Sequence, residues 1–152
     1  MSTDSASPPS ILLVEDDQMD IMNVQRELRK HNITVPLYVA RNGREALALL
    51  RGEGDKEQIP KPSVVMLDIN MPRMNGLELL EALRSDSEFV GLNVFIMTTS
   101  DLESDRLKAR DLAVSGYIIK PLSFDKFGEG GSTVDGFSLF LDLLQLKEQA
   151  SK

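Results

Sequence analysis

Five polar side chains stand directly after short apolar runs of the chain, at points where buried strands would end. Glu15 and Asp16 follow the first run, Asp68 the third, Thr98 the fourth and Lys120 the fifth. In an open α/β sheet, ligands bind outside the carboxyl ends of the strands. If these runs are parallel strands, we expect three carboxylates, one hydroxyl and one ammonium to meet in a single cleft.

Such a group of side chains has a definite chemistry. Two carboxylates 4 Å apart repel each other by about 1 kcal/mol in water and by about 4 kcal/mol at an effective dielectric constant of 20. The single ammonium of Lys120 offsets only part of the repulsion among three of them. An all-oxygen ligand set suits a hard divalent cation such as Mg²⁺. A cleft that holds a divalent cation, a lysine and a hydroxyl is suited to bind a phosphoryl group.

Each of these residues also has an ordinary structural explanation. An acidic segment after a strand often caps the next helix, and Asp17 is expected to do so, which leaves the two acids before it free. Asp68, Thr98 and Lys120 could be a turn residue, a strand end and a solvated loop residue. Because all five would have to occur by coincidence at strand ends, we favour a common site.

The elements that would position these residues follow from the apolar pattern. Five short apolar runs are predicted to be buried strands: Ile11–Val14, Val35–Ala40, Val64–Leu67, Val94–Met97 and Tyr117–Ile119. Amphipathic helices are predicted over about 19–30, around Ala46–Leu50, around Leu77–Leu83 and over about 103–114, with a loop at 51–63. Strands that alternate with helices indicate an α/β fold with a doubly wound parallel sheet.

Composition excludes several classes of protein. The chain has 152 residues, the length of one ordinary domain, with 41% hydrophobic and 27% charged residues, as in a folded globular protein. It has no cysteine and a single histidine, His31, which excludes disulfide scaffolds, thiol nucleophiles and cysteine- or histidine-rich metal sites. His31 falls near the end of the first predicted helix, where we expect it to interact with the helix dipole.

Charge and hydropathy bear on location and partners. The net charge of −7 disfavours binding to nucleic acid. No apolar run approaches the roughly 18 residues that span a bilayer. Residues 1–9 are expected to be a disordered lead rather than a secretion signal, so we expect a soluble, cytoplasmic protein without membrane partners.

The chain resembles the receiver domain of two-component response regulators from about Ser10 to about Phe127. The matching stretches are LLVED at 12–16, MLDINMP at 66–72 with Asn75–Gly76, MTT at 97–99 and SGYIIKP at 115–121. The resemblance implies a flavodoxin-like fold whose five-stranded sheet has the order 2-1-3-4-5.

The resemblance also implies roles for single residues. Asp68 would be the phosphoacceptor, which receives a phosphoryl group from a phosphohistidine of a sensor histidine kinase. The Mg²⁺ cofactor would be held by the acidic pair, Asp68 and the backbone carbonyl of Asn70. Lys120 would neutralise a phosphoryl oxygen, and Thr98 and Tyr117 would be the switch residues. The set of site residues is therefore Glu15, Asp16, Asp68, Asn70, Thr98, Tyr117 and Lys120.

The C-terminal part departs from the receiver pattern. Three glycines between residues 128 and 131 interrupt the helix expected there, so we divide the chain into 1–9, a receiver domain at 10–127, and a glycine-rich break with a final amphipathic helix at 128–152. Two apolar stripes run along that helix, one with Phe137, Phe140, Leu141 and Leu144 and the other with Leu139, Leu143 and Leu146. One stripe could dock on the domain, and the other could face a partner or a second copy. We therefore expect an interface that involves Phe137, Leu139, Leu143 and Leu146.

These observations favour a stand-alone response regulator that is not an enzyme in the ordinary sense, since it catalyses only its own phosphorylation and dephosphorylation. No room remains for a DNA-binding domain of roughly 60 residues, so output by phosphorylation-dependent protein contact is expected. The long loop at 51–63 resembles that of regulators paired with phytochrome-like kinases. A phosphorelay intermediate, or a receiver fragment of a larger protein, are alternatives within the same class.

Two alternatives come from other classes. A Mg²⁺-dependent phosphohydrolase with an aspartyl nucleophile would need an acid two residues after Asp68 to protonate the leaving group. That position holds Asn70, which cannot do so. A flavin-binding module would need a hydroxyl- and glycine-rich loop after the first strand, where this chain instead has three acids that would repel the flavin phosphate.

Overall fold

The apolar runs of the chain form a parallel sheet of five strands. The structure is a computed structural model and describes residues 9–69, 76–98, 114–120 and 122. The strands are β1 (Ile11–Val14), β2 (Leu37–Ala40), β3 (Val64–Asp68), β4 (Val94–Thr98) and β5 (Gly116–Ile119). Their order is β2-β1-β3-β4-β5, which confirms the doubly wound arrangement and the sheet order that the resemblance implied.

Three helices lie among the described residues: α1 (Gln18–Lys30), α2 (Gly43–Arg51) and α3 (Gly76–Arg84). All three were predicted, whereas the fourth predicted helix, over about 103–114, lies outside the described residues except for Val114. None of the described helices is long and apolar enough to cross a bilayer.

Strand β2 begins later than the sequence predicts. Its first residue is Leu37 rather than Val35, because Pro36 has no N–H and cannot donate to the ladder. The carbonyl of Pro36 still accepts from the Ile11 N–H at 3.0 Å, so the proline directly precedes the first paired residue of the strand.

The central strands are apolar on both sides because helices cover both faces of the sheet. In β1, Leu12 and Val14 pack into the cluster that contains the buried leucines of α2 and α3. Ile11 and Leu13 face the other side, in the cluster that contains the buried residues of α1: Ile21, Val24 and Leu28. Every residue of β1, β3 and β4 is buried, as expected for parallel strands in the centre of such a sheet.

The first residue of α3 lies against the backbone that carries Asp68. A Cβ atom on Gly76 would lie 2.6 Å from the Ile69 Cα and even closer to the Asp68 carbonyl oxygen. The Gly76 N–H also donates to the Ile69 carbonyl at 3.4 Å. The glycine therefore allows α3 to begin directly beside the end of β3.

We predict that Gly76→Ala lowers the free energy of unfolding by about 1–3 kcal/mol, because either α3 or the Asp68–Ile69 backbone must move to admit the methyl group. Gly91→Ala is the matched control, since a Cβ at that position meets nothing within 4 Å. Chemical denaturation monitored by circular dichroism measures both effects. Equal stability of the two variants would contradict the close approach.

Candidate functional site

The register of the sheet places Glu15 and Asp68 side by side. Val14 pairs with Leu67 in parallel register, so the next residue of each strand lies at the same level. Hydrogen bonds continue past both positions, from the Glu15 N–H to the Ala40 carbonyl at 2.9 Å and from the Ile69 N–H to the Met97 carbonyl at 3.1 Å. The backbone at the carboxyl edge of the sheet is therefore fixed.

Three carboxylates gather at this edge. Glu15, Asp16 and Asp68 each offer an oxygen atom, and these atoms lie within 4.8 Å of one another. Glu15 is fully buried and Asp68 is 2% exposed, whereas Asp16 is exposed to solvent. The predicted cluster of acids is thus present, with an open side at Asp16.

Asp17 caps helix α1, as predicted. Its Oδ1 atom accepts from the N–H groups of Met19 and Asp20, at 2.8 and 3.2 Å. The Asp17 N–H itself donates to Glu15 Oε2 at 3.1 Å. The start of the helix thereby holds the Glu15 carboxylate in place without using the Asp17 side chain in the cluster.

The ammonium of Lys120 lies among the acids. Its Nζ atom is 2.9 Å from Glu15 Oε1, 2.9 Å from Asp20 Oδ2 and 3.2 Å from Asp68 Oδ2, and its side chain is 7% exposed. The Lys120 N–H donates to the Thr98 carbonyl at 2.7 Å, so the lysine is placed by the continuation of the β4–β5 ladder. One cation therefore contacts three carboxylates.

Among the described residues, the pKa values of Glu15 and Lys120 depart most from their usual values, and in both groups burial and neighbouring charges act in opposite directions. Burial raises the pKa of Glu15 to about 7, and the neighbouring Asp68 carboxylate adds to this although the hydrogen bond from Lys120 opposes it. Burial alone would lower the pKa of the Lys120 ammonium, but its carboxylate partners Asp20, Glu15 and Asp68 hold that pKa above its usual value. The lysine is therefore charged at neutral pH, and among the described residues it is the cation that contacts Glu15 and Asp68.

The two predicted switch residues lie on neighbouring strands. Thr98 ends β4 and is 3% exposed, and it pairs in register with Ile119, directly before Lys120. Tyr117 lies in β5, is half-buried and packs against the core cluster on the α2–α3 side of the sheet. The structure thus brings Thr98 to the same edge of the sheet as Asp68 and Lys120. Tyr117 lies on the adjacent strand β5, three residues before Lys120 and in register with Ile96.

Some predicted positions lie outside the described residues. These are Asn70, whose carbonyl was expected to bind the metal, and the interface residues of the final helix, Phe137, Leu139, Leu143 and Leu146.

Sequence reasoning missed two contributors on α1. Asp20 contacts the Lys120 ammonium, and the Asn23 side-chain amide donates to the Leu122 carbonyl at 3.1 Å. In the sequence, the indication of such a role is that both residues are polar and three positions apart on a helix whose other face is buried. The same pattern is also typical of an ordinary solvated helix face.

A cation-binding role fits the residues present. Among the described residues the candidate donors are carboxylate oxygens, which suit a hard divalent cation such as Mg²⁺, and the cluster is open to solvent at Asp16. Glu15, Asp16 and Asp68 are therefore suited to hold such an ion.

Comparison with known proteins agrees with this geometry. The family model described as "Response regulator receiver domain" matches residues 11–129. Response regulator Rcp1 from Synechocystis sp. is 35% identical over 120 residues, which cover 79% of this chain and 82% of Rcp1.

Solved structures of similar proteins share the fold. A two-component response regulator from Legionella pneumophila is 34% identical with a TM-score of 0.75, covering 88% of this chain and 98% of that one. The bacteriophytochrome response regulator AtBRR is 29% identical with a TM-score of 0.76, covering 89% and 96%. The Mn²⁺-bound form of Rcp1 is 29% identical with a TM-score of 0.69, covering 92% of each chain. The chain belongs to the response regulator receiver family and works in phosphorylation-based two-component signalling.

Proposed function

We propose that Asp68 is the phosphoacceptor of this receiver and that a sensor histidine kinase is the donor. The observation that carries the proposal is the placement of a nearly buried aspartate, 2% exposed, against the ammonium of Lys120 and beside two further carboxylates. The sequence similarity to response regulators supports the choice of donor.

The transfer is a displacement at phosphorus. A carboxylate oxygen of Asp68 forms the new P–O bond while the P–N bond of the phosphohistidine breaks, and the imidazole nitrogen keeps the electron pair. The product is an acyl phosphate on Asp68. Lys120, 3.2 Å from Asp68 Oδ2, is placed to donate to an oxygen of the transferred group and to offset its charge.

We propose Mg²⁺ as the cofactor, held by the carboxylates of Glu15, Asp16 and Asp68 together with the carbonyl of Asn70. Such an ion would supply positive charge that screens the phosphoryl oxygens from the acids around them and would lower the repulsion between the donor and Asp68. The Mn²⁺-bound structure of Rcp1 supports a divalent cation in this family.

The response to phosphorylation would run through Thr98 and Tyr117. A phosphoryl group adds about −1.5 to −2 charge and three acceptor oxygens. A hydrogen bond from the Thr98 hydroxyl to that group exists only in the phosphorylated state, so it favours one arrangement of β4 and β5 over another. Tyr117, half-buried on β5, would move inward with it and alter the surface that a partner contacts.

Output by protein contact from a stand-alone regulator is the form we propose, with phosphoryl relay to a further histidine as the second possibility. The coverage of Rcp1, 82% of its length, supports the first form, and the similarity to AtBRR supports a phytochrome-type kinase. The receiver at 10–127, the separate C-terminal helix and its homodimer or partner surface remain predictions from the sequence. So does self-catalysed loss of the phosphoryl group.

We predict that incubation with Mg²⁺ and acetyl phosphate adds one phosphoryl group to the wild-type protein and none to Asp68→Asn, because the amide is not a nucleophile. Mass spectrometry of the intact protein and of its peptides measures the addition. Asp55→Asn, the same change on an exposed loop residue, is the control and should be labelled as the wild type is. Label on Asp68→Asn would show that another residue is the acceptor.

Addition of Mg²⁺ alone should raise the melting temperature, since a ligand that binds only the folded state stabilises it by about 2.7 kcal/mol at 100 times its Kd. For a protein of this size the shift is about 5–10 °C. Asp16→Asn should lose most of it, because an exposed ligand can be removed without disturbing the core, and Asp55→Asn should keep it. An equal shift in Asp16→Asn would exclude Asp16 as a ligand.

A further inference from the structure

The three N–H donors of the Lys120 ammonium match the number of its carboxylate partners. A lysine ammonium has three donors and no acceptor. Glu15 Oε1 and Asp20 Oδ2 accept at 2.9 Å each, and Asp68 Oδ2 lies at 3.2 Å. Glu15 and Asp20 accept hydrogen bonds from two of these donors, and Asp68 forms an ion pair with the same ammonium.

Helix α1 holds the lysine segment at two points. Asp20, in the first turn, contacts the Lys120 side chain, while the Asn23 amide donates to the carbonyl of Leu122. The Asn23 side-chain oxygen in turn accepts from the Arg26 guanidinium at 2.7 Å, which fixes the orientation of the amide. These residues are spaced by three along α1, so they lie along one side of the helix.

We propose that Asp20 is a positioning residue for phosphoryl transfer: with Glu15 it fixes the Lys120 ammonium so that one N–H is directed at the phosphoacceptor. This inference rests on the proposed function, since it assigns a role within that reaction. Asp20 does not belong to the group of three carboxylates that could hold a cation. Its side chain is 28% exposed, so it can be replaced without opening the core.

The donor count explains why Asp20 is useful both before and after transfer. When the phosphoryl group is attached to Asp68, only the third donor needs to turn, from the carboxylate oxygen to a phosphoryl oxygen. The bonds to Glu15 and Asp20 can remain. Without Asp20, the Lys120 ammonium loses one of its acceptors and can adopt several orientations. It is then less often positioned to stabilise the phosphoryl group during transfer.

The test compares Asp20→Ala and Asp20→Asn with wild type, using acetyl phosphate and Mg²⁺ and measuring the rate of Asp68 phosphorylation across donor concentrations. We expect Asp20→Ala to lower the rate at saturating donor by about tenfold with a half-saturating donor concentration within about twofold of wild type. Asp20→Asn, whose amide oxygen can still accept from Lys120, should recover most of that rate.

Asp55→Asn is the control. It removes one negative charge from an exposed loop residue that has no contact with the acidic cluster or with Lys120 among the contacts described. It should leave the rate unchanged. If Asp20→Ala does not fold, Asp20→Ser, whose hydroxyl is too short to replace the carboxylate, takes its place, with the melting temperature recorded for every variant.

Three results would overturn the inference: a saturating rate in Asp20→Ala within twofold of wild type, an equal loss in Asp55→Asn, or a loss due only to weaker binding of the donor. Failure of the proposed function gives a different result, since the wild-type protein would then carry no label at Asp68. Labelled wild type with an unaffected Asp20→Ala would remove this inference alone.

Discussion

Repulsion between carboxylates at one edge of the sheet is the constraint on which the site depends. Glu15 and Asp68 are brought together by the pairing of β1 with β3, and both are nearly or fully buried. Buried acids of this kind are stable only when protonated or offset by positive charge. Burial raises the pKa of Glu15 to about 7, which favours its protonated form below that pH. The ammonium of Lys120 adds positive charge beside both acids.

Because its carboxylates repel one another, the site is stabilised by added positive charge. Glu15 has a higher pKa in the folded protein than in the unfolded chain. As pH rises from the ordinary pKa of a carboxyl group to about 7, the folded protein therefore holds a proton on Glu15 that the unfolded chain has lost. This titration lowers the stability of the metal-free fold over that interval. A divalent cation bound there would relieve the same repulsion without protonation. The crowding of the acids would thus add to the free energy of binding such an ion.

Much of this could be predicted from the sequence, for physical reasons that differ between elements. Ile11–Val14 is apolar without alternation and ends in acids, which identifies both a buried strand and the edge where ligands bind. Asp17 was predicted as a helix cap because capping depends on neighbouring residues alone. The order of the strands came from the family resemblance, since periodicity does not specify it. Asp20 was missed because its partner is 100 positions away and nothing local to α1 indicates that contact.

The separation of these partners along the chain has a consequence for how the protein acquires its native state. The Glu15–Lys120 contact joins residues 105 positions apart, and the Asn23–Leu122 bond joins residues 99 apart. Contacts so distant form only after the intervening loop has closed, at a cost in chain entropy. Until β5 docks beside β4, Glu15, which follows β1, and Asp68, which ends β3, lack their contact with the Lys120 ammonium. The acids and helix α1 therefore gain their contacts with Lys120 and Leu122 only after translation has passed residue 122.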